Sequence, residues 1–432
     1  MEFITIIALI PIVIVALIYL LRHPEIAFAL FLFSYVIEGG AILPWFLNLT
    51  VIMFAIATLG FTTQLVVSKK NNFKLQSVDL WLFGFTIILF VGSYLTPNPE
   101  AGLVKVLRFV GIVFFPYLLA RVFLKEHTQI YRFLKTILIL AAVICIALII
   151  ISIKEGITGR ITFFEANEIP VATLFAVGLA LAVIEVMMSL KKDWKLNRIL
   201  CAGMIPVFIY GIFLTGVRGP LFAVLVGLAF YFFFGFVKKI TPRFGTNLIL
   251  VLILIIVGFY LASFLSTFKS YSPIAIREGL STTERLEQYS LAENLFFQSP
   301  LLGVGAKGFE QLTGWGYPHN IFIEVAVENG LIGLIFFGVF LGTVVWYGFR
   351  FLRFYYWHST KMVQKIGLMI LTISFILLIE RQFSFGLDMH KDLFVFLALI
   401  VNLPIIARLN QRPNFNQTQE NIMEYKNFYG KV

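Results

Sequence analysis

The feature that most limits what this chain can fold into is a succession of apolar runs recurring from one end to the other. They lie near 3–21, 25–47, 49–67, 79–95, 103–124, 133–153, 169–189, 197–215, 219–237, 247–266, 320–346, 363–380 and 392–408. A helix rises about 1.5 Å per residue, so a run of about 20 residues crosses the roughly 30 Å of a bilayer's hydrocarbon. The runs are continuous rather than alternating at every second residue, which predicts helices and excludes a barrel of strands about ten residues long.

Composition points the same way. Charged residues are 13% of the chain and hydrophobic ones 59%, where a soluble domain carries about 25% charged residues. The expected fold class is an all-α polytopic membrane protein with 12–13 transmembrane helices and one large extracytoplasmic loop containing short helices. The first run has no basic segment ahead of it and ends in Arg22-His23-Pro24, so it is expected to stay as a span.

A net charge of +11 would also suit a nucleic-acid partner, but the basic residues cluster in alternate loops. Lys69-Lys70, Lys191-Lys192, Lys238-Lys239 and the stretch from Arg350 to Lys365 fall on one side if the N-terminus is outside. That is the positive-inside pattern of membrane orientation, and no nucleic acid is expected. The two cysteines, Cys145 and Cys201, lie inside apolar runs and offer no disulfide framework.

Four regions follow: a ten-span part over 1–266, an outer loop over 267–319, a C-terminal membrane part over 320–408, and an inner polar tail over 409–432, expected to be disordered. The loop exceeds the roughly 12–15 residues beyond which a connection is usually functional or disordered, and it carries helix signals. Ser281-Thr282-Thr283-Glu284 reads as a capping box opening a helix through about Gln298. Ser299-Pro300 then breaks it, Gly303, Gly305 and Gly308 suggest a flexible turn, and Trp315-Gly316-Tyr317-Pro318 suits a membrane boundary.

The chemistry is concentrated on this outer side. Arg218 stands in Thr215-Gly216-Val217-Arg218-Gly219-Pro220, a tight turn at headgroup depth where a guanidinium can grip phosphate; snorkelling is its ordinary alternative. Arg285 opens the loop helix and Arg277 precedes it, either of them equally readable as a surface charge. His319, at the mouth of the eleventh run, can take up a proton near neutrality. Asn320, Glu324 and Glu328 follow at four-residue spacing and share one helix face, with Glu328 roughly 13 Å below His319 at 1.5 Å per residue. A carboxylate at that depth is expected to face the protein interior.

Lys105, Arg108 and Arg160 are outward-side basic residues, and Glu380, Arg381, Asp388, His390 and Asp392 surround the last outer loop, mostly as packing pairs. His23, His127 and His358 fall on inner segments and receive no chemistry. No spacing of His, Cys or carboxylates suggests a metal site, and no glycine loop follows a strand as a nucleotide site requires. Neither metal nor cofactor is expected.

Three segments carry a family resemblance: TGVRGPLFAVLVGL at 215–228, RLEQYSLAENLFFQSPLLGVGAKGF at 285–309 and PHNIFIEVAVENGLIGLI at 318–335. In order and spacing they resemble the O-antigen ligase and polymerase family of bacterial membrane glycosyltransferases. The family's Arg-Gly turn is Arg218-Gly219 here, its loop arginine Arg285, its Pro-x-x-Gly-x-Gly turn Pro300, Gly303 and Gly305, and its His-Asn before two glutamates His319-Asn320 with Glu324 and Glu328. Tyr289 replaces a frequent Trp, and Val217 a frequent Ser. GRITFFEANEIP at 159–170 resembles an outer segment of the family and carries Arg160 with it.

The resemblance implies a multi-pass protein of the bacterial inner membrane with its active site on the extracytoplasmic face. It implies an undecaprenyl-diphosphate-linked glycan donor, a glycan acceptor (a lipid A core or a lipid-linked repeat unit), and inverting transfer without metal. Arg218 and Arg285 would stabilise the leaving diphosphate, and His319 would be the general base. Arg160, Arg277, Asn320, Glu324 and Glu328 would bind or orient. Protein O-oligosaccharyl transfer is the alternative acceptor chemistry, and a polysaccharide or lipid transporter the alternative class.

Overall fold

The computed structural model describes residues 2–38, 48–68, 74–155, 167–188, 195–236, 253 and 280–410. Among these it contains helices and no strand. The first half comprises α1 (Glu2–Arg22), α2 (Pro24–Leu32), α3 (Ser34–Glu38), α4 (Leu49–Ser68) and α5 (Ser77–Gly92). Then come α6 (Pro99–Phe123), α7 (His127–Glu155), α8 (Glu168–Met187), α9 (Lys195–Thr215) and α10 (Arg218–Phe236). The remainder is α11 (Leu280–Gln298), α12 (Gly308–Thr313), α13 (Ile321–Arg350), α14 (Lys361–Glu380) and α15 (Lys391–Leu409).

Eight of the described helices are long and apolar enough to cross a membrane, and Ser77–Gly92 and Arg218–Phe234 are shorter apolar helices. This is the all-α polytopic fold that the apolar runs predict. The second run departs from expectation: Val13–Arg22 and Pro24–Leu32 meet at 100°. His23, restricted by the proline that follows it, leaves the helical region at φ −125° and ψ 64°. The 9 residues of α2 reach only about 13 Å, too short to cross alone. The tenth run, 247–266, lies outside the described residues except for Ile253, as does the tail beyond residue 410.

The centre of the bundle is α8, in which every side chain from Pro170 to Met187 is buried, as an all-round apolar helix should be. It packs against α7, α9, α10 and α14. On another side α13 lies along α5 and α15, with Gly84 under the Phe336 ring and Gly92 beside Asn329. Residue 329 is therefore level with the end of α5, and the first turns of α13 project beyond it. The ends of α5, α9 and α14 meet the beginnings of α6, α10, α13 and α15 there; this is called the loop end below.

At Gly330, with φ 62° and ψ −163°, α13 is broken, and residues 300–306 fill the break. Leu331 and Ile332 donate backbone N–H groups to the carbonyls of Pro300 and Leu301, at 2.8 and 3.2 Å. Val304 and Gly305 donate to Val327 and Glu328, at 2.9 and 3.0 Å, and Ala306 to Gly92 at 3.1 Å. The helix's lost bonds are replaced by bonds to the loop, as buried backbone requires. A Cβ on Gly303, Gly305 or Gly330 would run into backbone. The glycine-rich segment, expected to be a flexible turn, is a buried plug.

The opposite end is held by closed charge networks. Arg121 donates to Asp79 Oδ1 and Oδ2 at 2.9 and 3.0 Å, to Gln76 at 3.0 Å, and to Asn402. Lys365 pairs with Glu185 at 2.6 Å, which also accepts from the Tyr131 hydroxyl at 2.7 Å.

Candidate active site

At the loop end the chain between α14 and α15, residues 381–390, forms a platform. Buried Arg381 anchors it by ion pairs to Glu380 at 2.5 Å and to Asp392, and Ser384 donates to Glu380. Of the residues expected to pair around this loop, Glu380, Arg381 and Asp392 do so with each other and Asp388 pairs with Arg108 of α6 at 3.3 Å, whereas neither ring nitrogen of buried His390 has a hydrogen-bond partner among the described residues.

Two of the sequence-predicted residues, Arg285 and His319, meet this platform at Phe383, and the glycine that follows Arg218 meets it there too. Arg285, half-buried on α11, donates from Nη2 to the Phe383 carbonyl at 3.4 Å. The same backbone faces the His319 imidazole. Gly219, next to Arg218, lies against the Phe383 side chain, and the Phe222 ring meets it edge-on at 6.2 Å. Arg218 itself is exposed at the first position of α10, set there by Gly216 at φ 67°.

Local sequence explains how each is presented. On α11, Gln288, Ala292 and Leu295 are buried at helical spacing, so the helix lies on the bundle by one face. Its end at Gln298 matches the break predicted at Ser299-Pro300; of its predicted capping box at 281–284, the side chains of 281–283 lie outside the described residues. Asn320 caps α13, its Oδ1 accepting from Phe322 and Ile323 N–H at 3.0 and 3.1 Å, which satisfies two otherwise orphaned donors. His319 precedes this cap with φ 50°, a left-handed conformation costing a non-glycine residue about 1–3 kcal/mol. Such strain, held between Pro318 and a cap, aims the ring at Tyr317, whose centroid is 4.6 Å away and edge-on.

Burial lowers the His319 pKa below its ordinary value, and the Arg285 charge lowers it further; the Phe383 backbone opposes both. Each of the first two effects disfavours the imidazolium, so the ring is neutral at neutral pH. Its Nδ1 is buried without a hydrogen-bond partner among the described residues.

Glu324 and Glu328 do share one face of α13 and turn inward. Both pair with Lys105 of α6, at 2.5 and 2.7 Å, and the Lys307 backbone also serves Glu328. Glu324 in turn accepts from the Leu387 N–H at 3.1 and 2.9 Å. A chain of contacts thus runs from Lys105 through Glu324 to the platform that carries Phe383. Arg160 and Arg277 lie outside the described residues.

Sequence reasoning passed over Lys105 and the 381–390 platform as site components. Lys105 had a signal, since an ammonium early in an apolar run needs a partner. Phe383 had none, because it serves through a backbone carbonyl. Among the described residues no three His, Cys, Asp or Glu side chains are grouped to hold a metal ion.

The family model described as O-antigen ligase matches residues 202–338, a stretch that contains Arg218, Arg285, His319, Asn320, Glu324 and Glu328. No curated protein matches the chain.

Proposed function

The chain carries the domain of the O-antigen ligase family over residues 202–338, and from that premise we propose that it is an inverting, metal-independent glycosyltransferase. Its donor would be a glycan linked to undecaprenyl diphosphate, and its acceptor a sugar presented on the extracytoplasmic face of the bacterial inner membrane. The family implies glycosyl transfer of the O-antigen ligase or polymerase type; donor, stereochemistry and face are our reading. The observation that carries it is the convergence of Arg285, His319 and the Arg218 turn on Phe383.

An acceptor hydroxyl attacks the anomeric carbon as its proton passes to the His319 imidazole. A new C–O bond forms, the bond from the anomeric carbon to the diphosphate oxygen breaks, and its electron pair leaves with the prenyl diphosphate. Negative charge grows on that diphosphate, where the planar guanidinia of Arg218 and Arg285 supply paired donors. Attack opposite the leaving group inverts the anomeric centre. Asn320 starts the helix that holds His319, and Glu324 with Glu328 braces it through Lys105. The outer face is supported by the clustering of basic residues in the other set of loops.

The test is transfer from a purified polyprenyl-diphosphate-linked glycan by the protein in nanodiscs with a chelator present. The expected product has the opposite anomeric configuration to the donor. Retained configuration, or transfer abolished by the chelator and restored by a divalent ion, would overturn the mechanism.

A further inference from the structure

A cleft of about 200 Å³ lies between α6, α12 and residues 386–389. Lys105 and Glu324, both buried, are paired in its floor at 2.5 Å. Arg108 with Asp388, and Lys307 with Glu310, form two further pairs along its walls, each at 3.3 Å. Tyr317 lines it and meets the His319 ring edge-on, with 4.6 Å between centroids. The catalytic step described above leaves this space unused.

We propose that this cleft is the acceptor subsite and that it selects an uncharged sugar ring; the inference rests on the glycosyltransferase reading above. The base must touch the acceptor hydroxyl, and the Tyr317 ring that lines the cleft is in contact with His319, so a sugar seated here with its hydroxyl reaching past Tyr317 belongs to the acceptor. Neither Arg218 nor Arg285 lines the cleft, so the diphosphate they would hold belongs to the donor outside it. Each ion pair offers a donor and an acceptor side by side, which matches a sugar diol that both gives and receives hydrogen bonds. The three cations Lys105, Arg108 and Lys307 face the three carboxylates Glu310, Glu324 and Asp388 across the cleft, with Glu328 behind Lys105 as a fourth. A phosphate or carboxylate entering such a cleft would lose hydration and meet repulsion at least equal to its attraction. Neutral hydroxyls meet no such penalty.

Arg108 and Lys307 keep partly exposed side chains, at 44% and 34%, and are the groups able to reach a bound ring. The test measures transfer to a panel of neutral oligosaccharide glycosides and their uronic-acid counterparts, with donor and acceptor KM determined separately. Arg108→Ala and Lys307→Ala should each raise acceptor KM about tenfold, the worth of one charge-assisted bond, and leave donor KM within about twofold. Arg108→Lys should recover part of the loss. The wild type should prefer the neutral glycosides at least about tenfold over the acidic ones. Asp388→Asn, which shifts the cleft towards positive charge, should narrow that preference and serves where an alanine variant fails to fold. Unchanged acceptor KM, or equal rises in both KM values, would overturn the subsite while leaving the transferase reading intact. A wild type that consumes no donor would overturn both.

Discussion

Arg121 and Arg285 are both arginines gripped between helices, but at opposite ends of the bundle they are used differently. Arg121 is 1% exposed and its donors are taken up by Asp79, Gln76 and Asn402. Arg285 is half-buried and makes one long hydrogen bond among the described residues, to the Phe383 carbonyl. A guanidinium surrounded by fixed acceptors has no capacity for a ligand. One held by a single carbonyl is positioned yet still able to bind. Closed networks hold helices together, and open ones leave donors for substrate.

The comparison breaks most sharply if the open end is emptied. His319→Ala and Arg285→Ala should each lower transfer by about 10²-fold to 10⁴-fold, the usual weight of a general base or charge stabiliser. Thermal melting in detergent should barely move. An equally large fall in melting temperature would mean that these side chains hold the fold, as Arg121 does.

The closed end should behave in the opposite way. Asp79→Ala strips Arg121 of its carboxylate and leaves a buried cation unpaired, which costs about 3–5 kcal/mol. The expected result is a large drop in melting temperature with normal turnover in whatever protein survives. A stable variant with lost transfer would refute the division between the two ends.

Glu328 tests the boundary between them, because it pairs with Lys105 at 2.7 Å below the site yet belongs to the stripe that begins at His319. Glu328→Gln should lower stability by about 1–3 kcal/mol, the cost of weakening a buried charge-assisted bond, and lower turnover of the surviving protein by less. Normal melting with lost turnover would move Glu328 into the reaction.

How far these parts were legible differs for a physical reason. Helices announce themselves by local pattern: the apolar runs, the break at Ser299-Pro300 and the Glu324–Glu328 stripe are all written in neighbouring residues. The pairing of Lys105 with Glu324 joins residues 219 apart, and no local rule names such a partner. The glycine motif was visible as a turn signal but misread, because what Gly303 and Gly305 meet is backbone of α13 and α5. The break at Gly330 had a signal in Asn329-Gly330. The bend after α1 had one in His23-Pro24. Arg218, Arg285 and His319 stood out because charge beside apolar runs is costly and calls for a reason; that Arg285, His319 and the turn after Arg218 share Phe383 follows only from the fold.

The smallest expected effect isolates the contact between the two site residues. Since burial and the Arg285 charge both lower the His319 pKa, the base form predominates at neutral pH. Transfer should hold steady as pH falls through about 6.5, the ordinary histidine value, and decline only at lower pH. Arg285→Gln removes a positive charge that opposes protonation, so the His319 pKa rises and the acidic limb of the residual activity moves to higher pH. Arg285→Lys keeps the charge, loses the planar fork, and should leave the limb near its original place while still lowering the rate. The readout is the pH profile of transfer by the two variants at saturating donor and acceptor. A limb that shifts equally in both would assign the lowered pKa to burial alone and separate Arg285 from His319 electrostatically, leaving Phe383 as their shared contact.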